Sequence, residues 1–187
     1  ETGPLQLTDE TSIDLGVKII KATRAAMGNE YPIKNGDEVS FKLFEKGRLG
    51  RKTNAGFYEY NDKGKRTGLW AGLNETWSLN KLQPEFEDIK NRLILSQVLE
   101  AIKALEEGVL EDIREGDVGA ILGWGFAPWS GGPFGWVDIK GLKNVVEICK
   151  KLTLKEGDRF SAPELLVKMA KNNETFYGKY IKNREVT

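Results

Sequence analysis

Apolar side chains recur at three- and four-residue intervals along most of this chain, which is the spacing of amphipathic helices. The longest pattern covers residues 85–107, and Gly108 follows it as a helix stop. The apolar stripe of this helix consists of Ile94, Val98, Ile102, Leu105 and Val109. A second regular stripe consists of Leu142, Val145, Val146, Cys149 and Leu152.

Capping patterns add two further helices. Asp112-x-x-Glu115 predicts a helix start, and it directs Ile113, Ile121 and Leu122 inward. Ser161-x-x-Glu164 predicts the start of a last helix in the same way.

Strand signals are weak. Residues 56–60 alone look extended, and they are too few to build a sheet. Residues 61–80 mix glycines and charges without a period, so they are predicted to be a linker. We therefore predict an all-α chain with a first helical unit at 1–60 and a second at 81–187.

An internal repeat links the two units. Gly3-Pro4 with Asp9 recurs as Gly132-Pro133 with Asp138, with the same spacing inside each copy, and similar helices follow at the same offset. A long helix precedes the second Gly-Pro, and its counterpart in the first copy would lie before residue 1. The first unit is thus expected to be truncated at its N-terminus. Chance similarity between two amphipathic helices is the alternative.

The amino-acid composition limits the kinds of functional site that the chain could contain. Lys plus Arg and Asp plus Glu both number 28, and this balance argues against a nucleic-acid or membrane-surface partner. The chain has no histidine, which removes the commonest general base and metal ligand, so no metal site is predicted. Its one cysteine excludes an internal disulfide and fits a reducing compartment, which we take to be the cytoplasm. No apolar run is long enough to predict a membrane span.

Four segments resemble one family. Residues 47–60, GRLGRKTNAGFYEY, resemble the signature that ends the helical C-terminal unit of 3-hydroxyacyl-CoA dehydrogenases. Residues 115–138, EGDVGAILGWGFAPWSGGPFGWVD, resemble the second copy of that unit in multifunctional β-oxidation enzymes of the alpha-subunit type. Residues 91–110 are similar to the long helix that opens the unit, and residues 3–17 to its Gly-Pro turn and next helix.

The resemblance implies an NAD-dependent oxidoreductase of fatty-acid β-oxidation that converts an L-3-hydroxyacyl-CoA to the 3-ketoacyl-CoA. It implies two tandem helical units that pack as a pseudo-dimer, next to an upstream Rossmann domain that holds NAD and the catalytic His, Glu and Ser. No Gly-x-Gly-x-x-Gly follows a strand in this chain. We therefore expect no catalytic and no cofactor-binding residue here, and an isolated fragment that is inactive.

One family residue has a counterpart by position. The family places a catalytic Asn beside an Arg near the start of the long helix of the first unit. Asn91-Arg92 matches that position in the second unit, where no Rossmann partner completes a site. Asn91 is therefore predicted to be a relic or a structural residue.

Arg48, Arg51 and Lys52 are the candidate substrate-binding residues. Arginine and lysine suit the phosphates of CoA, although a glycine-rich turn with solvated cations explains the same residues. Aromatic residues crowd a second glycine-rich stretch, either as an apolar wall for an acyl chain or as the core contact between the two units. These aromatic residues are Trp124, Phe126, Trp129, Phe134 and Trp136.

The sequence thus predicts the C-terminal part of a 3-hydroxyacyl-CoA dehydrogenase, which packs on the Rossmann domain and helps to shape the acyl-CoA cleft. The alternative is a non-catalytic helical protein-interaction module without a role in CoA binding. The sequence leaves open whether a thiolase subunit binds.

Overall fold

Most of the described chain is helical, as the apolar periodicity predicts. The computed structural model describes residues 3–32 and 35–181. It divides into two compact units, Glu1–Lys81 and Leu82–Thr187, which we call unit 1 and unit 2. Within the described residues, no helix combines the length and the apolar character that a membrane span requires.

Unit 1 packs its helices and a small hairpin around a core of Ile13, Leu43 and Phe57. Side chains from residues that follow the hairpin, among them Trp70 and Leu73, pack against this core. The elements of unit 1 are α1 (Pro4–Thr11), α2 (Ile13–Met27), α3 (Asn35–Glu45), β1 (Tyr58–Tyr60), β2 (Arg66–Leu69) and α4 (Gly72–Thr76).

The segment predicted to be a linker, residues 61–80, carries regular structure. β2 pairs antiparallel with β1, with Tyr58 opposite Leu69, and α4 follows directly. The all-α prediction is confirmed as the fold class, with this small hairpin as an addition. Strands of three and four residues are too short to leave an alternation in the sequence, and here backbone hydrogen bonds define the pairing.

Unit 2 is a helical bundle around α5, which spans Phe86–Glu106 as the apolar stripe predicts. Two residues predicted to face inward are exposed: Leu122 by 80% and Val109 by 77%. Val109 lies beyond the helix end, after Gly108 with its positive φ, where the helical period no longer applies. The helices of unit 2 are α5, α6 (Ile113–Trp124), α7 (Pro133–Lys140), α8 (Leu142–Glu156), α9 (Glu164–Lys171) and α10 (Phe176–Tyr180).

The internal repeat is present in the helix boundaries. α1 has the same length as α7, α2 has the same length as α8, and one offset along the chain relates the bounds of both pairs. The residue between the two helices of each pair has the same positive φ, 81° at Ser12 and 84° at Gly141. A proline occupies the first turn of both α1 and α7, where its missing N–H costs nothing. The packing of the two units as a pseudo-dimer stays a prediction.

Candidate functional site

The segment 47–60, which carries the family signature, is held in place by the buried carboxylate of Asp9. This residue is 1% exposed. Its carboxylate accepts hydrogen bonds from the backbone N–H of Phe57 at 2.8 Å, the backbone N–H of Tyr58 at 3.0 Å and the Tyr60 hydroxyl at 2.9 Å. Three donors replace the water that the carboxylate loses on burial, so α1 and the signature segment form one structure.

Two glycines of the signature permit this close approach. A Cβ atom on Gly56 would collide with the Asp9 carboxylate, and one on Gly50 would collide with the Asp9 backbone. Gly50 also has φ 103°, a conformation that other residues rarely adopt. The glycine spacing of the motif therefore follows from packing against α1.

Unit 2 contains the same arrangement of an aspartate carboxylate and backbone N–H donors. Asp138, the counterpart of Asp9 in the repeat, accepts hydrogen bonds from the backbone N–H groups of Phe176 at 2.8 Å and Tyr177 at 2.9 Å. The Phe-Tyr pair at the end of each unit is therefore tied to the aspartate near the end of the Gly-Pro helix. This shared hydrogen-bond pattern supports a true repeat.

The guanidinium of Arg48, a candidate for phosphate binding, is engaged in contacts within unit 1. Its guanidinium donates to the carbonyl oxygens of Gly56 at 2.8 Å and Tyr58 at 3.3 Å. It also forms an ion pair with Glu59 at 3.0 Å and lies 4.3 Å from the centroid of the Trp70 ring. Only 11% of the side chain is exposed, so Arg48 acts as a support for the signature segment.

Arg51 and Lys52 lie on the surface of the same segment. Lys52 forms an ion pair with Asp14, and the hydrogen bonds from Lys52 and Ser12 lower the pKa of Asp14 to about 2. Arg51 lies beside the turn at Gly64, and its guanidinium forms no ion pair with any residue in the described part of the chain. Of the three sequence-predicted cations, Arg51 has the donors best placed for an external anion.

Asp117, which sequence reasoning missed, organises unit 2. Its carboxylate, 2% exposed, accepts hydrogen bonds from the N–H groups of Phe134 at 2.7 Å and Gly135 at 3.0 Å, and from the Tyr177 hydroxyl at 2.8 Å. Burial raises the pKa of Asp117 despite these three bonds. An acidic residue on the apolar face of a predicted helix was the available signal.

Two tyrosine hydroxyls donate to the buried carboxylates. Burial, together with the hydrogen bond to Asp9, raises the pKa of Tyr60 to about 12. Burial and the hydrogen bond to Asp117 raise the pKa of Tyr177 to about 12. Since both pKa values are higher in the folded state, the two groups contribute stability below pH 10 that is lost as the pH rises towards 12.

We expect Tyr60 and Tyr177 to ionise near pH 12 in a spectroscopic titration of tyrosinate absorbance. Tyr60→Phe and Tyr177→Phe should each remove one late-titrating group. In denaturant, all five tyrosines should titrate together near pH 10. Loss of an early-titrating group from either variant would contradict the hydrogen bonds to Asp9 and Asp117.

Asn91, which the resemblance matches by position to the Asn of the first unit, lies inside α5 and is 7% exposed. Its side-chain oxygen has no hydrogen-bond partner among the described residues. Arg92 forms an ion pair with Glu156 of α8 at 3.2 Å, so its charge is balanced within unit 2. The structural role predicted for Asn91 stays a prediction.

The aromatic cluster divides into two groups. Phe126, Phe134 and Trp136 are at most 5% exposed and belong to the core of unit 2. Trp124 and Trp129 are 61% and 71% exposed. Three of the five rings therefore fill the core of their own unit.

The thiol of Cys149 is also part of this core. The residue is 1% exposed, and burial raises the pKa of the thiol to about 11. A thiol with this pKa is a poor nucleophile at neutral pH. Within residues 3–32 and 35–181, His, Cys, Asp and Glu side chains form no group of three that could hold a metal ion.

Comparison with protein families identifies the signature. Residues 1–60 match the family described as "3-hydroxyacyl-CoA dehydrogenase, C-terminal domain". The resemblance that residues 3–17 and 47–60 carry to the C-terminal helical domain of these enzymes is thereby confirmed.

Curated relatives extend the match over most of the chain. The chain is 37% identical over 179 residues to a fatty acid oxidation complex subunit alpha of Vibrio vulnificus, which covers 94% of the chain and 24% of the relative. It is 35% identical over 182 residues to the subunit of the same name from Shewanella frigidimarina, covering 95% of the chain and 25% of the relative. The chain thus spans about a quarter of the length of these relatives.

A solved structure shares the fold. The dehydrogenase part of multifunctional enzyme 1 from C. elegans superimposes with a TM-score of 0.56 at 16% identity, over 89% of this chain and 38% of that one. At this identity the likeness concerns the fold alone.

Proposed function

We propose, from the premise that residues 1–60 match the 3-hydroxyacyl-CoA dehydrogenase C-terminal-domain family, that this chain is the C-terminal part of such an enzyme. The whole protein would oxidise an L-3-hydroxyacyl-CoA in fatty-acid β-oxidation, with NAD as the hydride acceptor. The observation that carries the proposal is the match of 94% of the chain to fatty acid oxidation alpha subunits.

The residues of this chain do not fit NAD. The sheet of the described residues is a two-stranded antiparallel hairpin, whereas dinucleotides bind at the carboxyl ends of parallel strands. The chain also lacks histidine, the usual base for a hydroxyl proton. We therefore assign the cofactor and the proton transfer to an upstream Rossmann domain of the same protein.

The role that we propose for this chain is to pack on that domain and to help shape the acyl-CoA cleft. Arg51, whose guanidinium has no ion-pair partner in the described part of the chain, and the half-exposed Lys52 are the residues that we expect to contact CoA phosphates. Arg48 would act through them, because its side chain fixes the segment from which both project.

The names of the relatives also support a proposal about the partner and the location of the whole protein. The relatives are named as subunits of a fatty acid oxidation complex, and we propose a thiolase subunit as partner and the cytoplasm as location of the whole protein. Co-purification of the complete protein with a thiolase would test this partner.

The direct test is NADH formation by the complete protein with an L-3-hydroxyacyl-CoA. We expect turnover by the complete protein, and neither turnover nor tight NAD binding by the purified 187-residue chain. In the complete protein, Arg51→Ala should raise KM by about fivefold, because an exposed ion pair contributes up to about 1 kcal/mol.

Lys151→Ala is the matched control, since Lys151 is an exposed cation of unit 2 without an ion pair among the described residues. It should leave KM unchanged. An inactive complete protein would refute the dehydrogenase function. An active protein whose KM is insensitive to Arg51→Ala would refute only the CoA contact.

A further inference from the structure

An open groove runs between α8 and α9 of unit 2. Its volume is about 1030 Å³. Val146 and Leu154 of α8 form one wall, Val167 and Ala170 of α9 form the other, and Ala162 lies in the connection between them. Leu154 is 89% exposed, so the apolar lining of the groove includes a side chain that no described residue covers.

Lysines surround the apolar walls. Lys143 and Lys150 of α8 and Lys171 of α9 line the groove, whereas Glu147 is the one acidic residue that the described part of the chain contributes to the lining. Glu147 already forms an ion pair with Lys150. The excess positive charge favours an occupant that carries carboxylates beside apolar groups.

Unit 1 supplies an internal reference for this groove. α2 corresponds to α8, as their shared length and their common offset from α1 and α7 show. α3 and α9 correspond at their C-terminal ends, since Gly47 and Asn173 both have a positive φ. In both ends the N–H of the next residue bonds back to a buried residue of the helix, Leu43 in α3 and Met169 in α9.

This alignment places two phenylalanines of unit 1 at groove positions of unit 2. Phe41 corresponds to Val167, and Phe44 corresponds to Ala170. In unit 1, the Lys21 ammonium lies 5.9 Å from the centroid of the Phe41 ring and 5.8 Å from that of Phe44. In unit 1, a lysine of α2 therefore lies within cation–π distance of two rings of α3.

Unit 2 keeps the lysine and lacks the rings. Lys150 is the counterpart of Lys21 in the repeat and borders the groove, where the smaller side chains of Val167 and Ala170 stand at the two ring positions. The groove is thus a position at which the same architecture elsewhere in the chain contains aromatic side chains.

We propose that the α8–α9 groove binds an amphipathic helix of a partner, which inserts an aromatic anchor between Lys150 and Ala170 and places acidic residues opposite the lysines. The α8 lining runs from Lys143 to Leu154, about 17 Å at about 1.5 Å per residue, which matches three turns of a docked helix. A helix covers a groove that is open along its length, whereas a slender lipid chain would stay half exposed in it.

Fluorescence anisotropy with the complete protein, and with the 187-residue chain beside it, tests the proposal. The probe is a labelled helical peptide of about 15 residues, with Phe and Leu on one face and Glu on both flanks. We expect saturable binding. A peptide with Lys in place of Glu, and one with Ala in place of Phe, should each bind at least about tenfold more weakly, as expected when an interface anchor is removed.

Variants of the chain locate the site. Ala170→Phe restores the ring that unit 1 contains, and it should raise the Kd for the acidic peptide by about tenfold or more. Leu154→Glu changes an exposed residue, so it leaves the core intact and should weaken binding through repulsion. If Ala170→Phe lowers the melting temperature, its effect on binding could come from a change in the fold. The effect of Leu154→Glu then decides whether the groove binds the peptide.

Lys150→Glu and Lys103→Glu form a matched pair. Lys150 is exposed and Lys103 is half-exposed, and each forms an ion pair with the glutamate three residues earlier, but Lys103 lies on α5, outside the groove. Only Lys150→Glu should weaken binding. The proposal would be overturned if the unaltered chain did not bind the acidic peptide, or if it bound the basic peptide equally well. It would also be overturned if neither Ala170→Phe nor Leu154→Glu changed the Kd. Binding of dodecanoate without binding of the peptide would overturn it as well, in favour of a lipid.

Discussion

Replacement of Phe134 by alanine should lower the free energy of unfolding of unit 2 by about 4 kcal/mol, the usual cost of removing a buried phenyl ring. Phe134 is fully buried in α7, and its ring meets Phe176 edge to face with centroids 5.1 Å apart. It also fills the space over Gly116, where a Cβ would lie 2.8 Å from the ring. Because α6 approaches the ring through a glycine, removal of the ring leaves a cavity that only a shift of the helices could close.

Urea denaturation followed by circular dichroism measures the loss, and hydrogen exchange of backbone amides assigns it to unit 2. Trp129→Ala is the control, because Trp129 is a larger aromatic residue of the same stretch that is 71% exposed. It should change stability by less than about 0.5 kcal/mol. Equal effects of the two substitutions would mean that Phe134 is not a core residue.

Long helices were predictable from this sequence because each turn contributes independently to the apolar pattern. The expected helix at 85–107 is observed as Phe86–Glu106. The stripe that includes Val145 and Leu152 is buried as predicted. Asp112 caps its helix, with its carboxylate accepting the N–H of Arg114 at 2.8 Å.

Predictions that depended on a single local signal were less successful. Ser161 was expected to cap the last predicted helix, but α9 begins at Glu164 with Pro163 as its N-cap residue. Leu122 was predicted to face inward together with Ile121, yet its side chain is 80% exposed. Neighbouring residues on a helix point about 100° apart, so only one of two adjacent apolar residues need face the core.

The candidate site was beyond prediction for a different reason: its contacts join distant residues. Arg48 looked like a surface cation because the Trp70 ring against which it packs lies in the segment expected to be a linker. The carboxylate of Asp9 meets Phe57 and Tyr58 across nearly fifty positions of sequence. The repeat did indicate that these residues matter, since the same residue types recur in unit 2, but not what joins them.

Replacement of Asp9 by alanine should destabilise unit 1 by about 4 kcal/mol, the scale expected when a buried, hydrogen-bonded charge is removed from its donors. The substitution leaves two N–H groups and one hydroxyl without their acceptor, and a hydrogen bond to a charged group contributes about 1.5–3 kcal/mol. The contributions are not additive because water can reach some of the freed donors. The measurement is again urea denaturation, with hydrogen exchange of the amides of Phe57 and Tyr58 as a local readout.

Asp9→Asn separates charge and hydrogen bonding from shape. The amide keeps one oxygen to accept an N–H, but its NH₂ group faces a donor, so we expect a loss between those of the alanine variant and the unaltered chain. Asp62→Ala, at an exposed position of the hairpin turn, is the control and should have no measurable effect.

Loss of the Asp9 acceptors should also loosen the signature segment around Phe57 and Tyr58, because the Asp9 side chain joins this part of the segment to α1. Faster proteolysis at residues 47–60 in Asp9→Ala, with unit 2 unchanged, is therefore the expected companion result. A stable Asp9→Ala variant would mean that some other contact holds the glycine-rich signature, and the collisions that a Cβ at Gly50 or Gly56 would make with Asp9 would then no longer explain the glycine spacing.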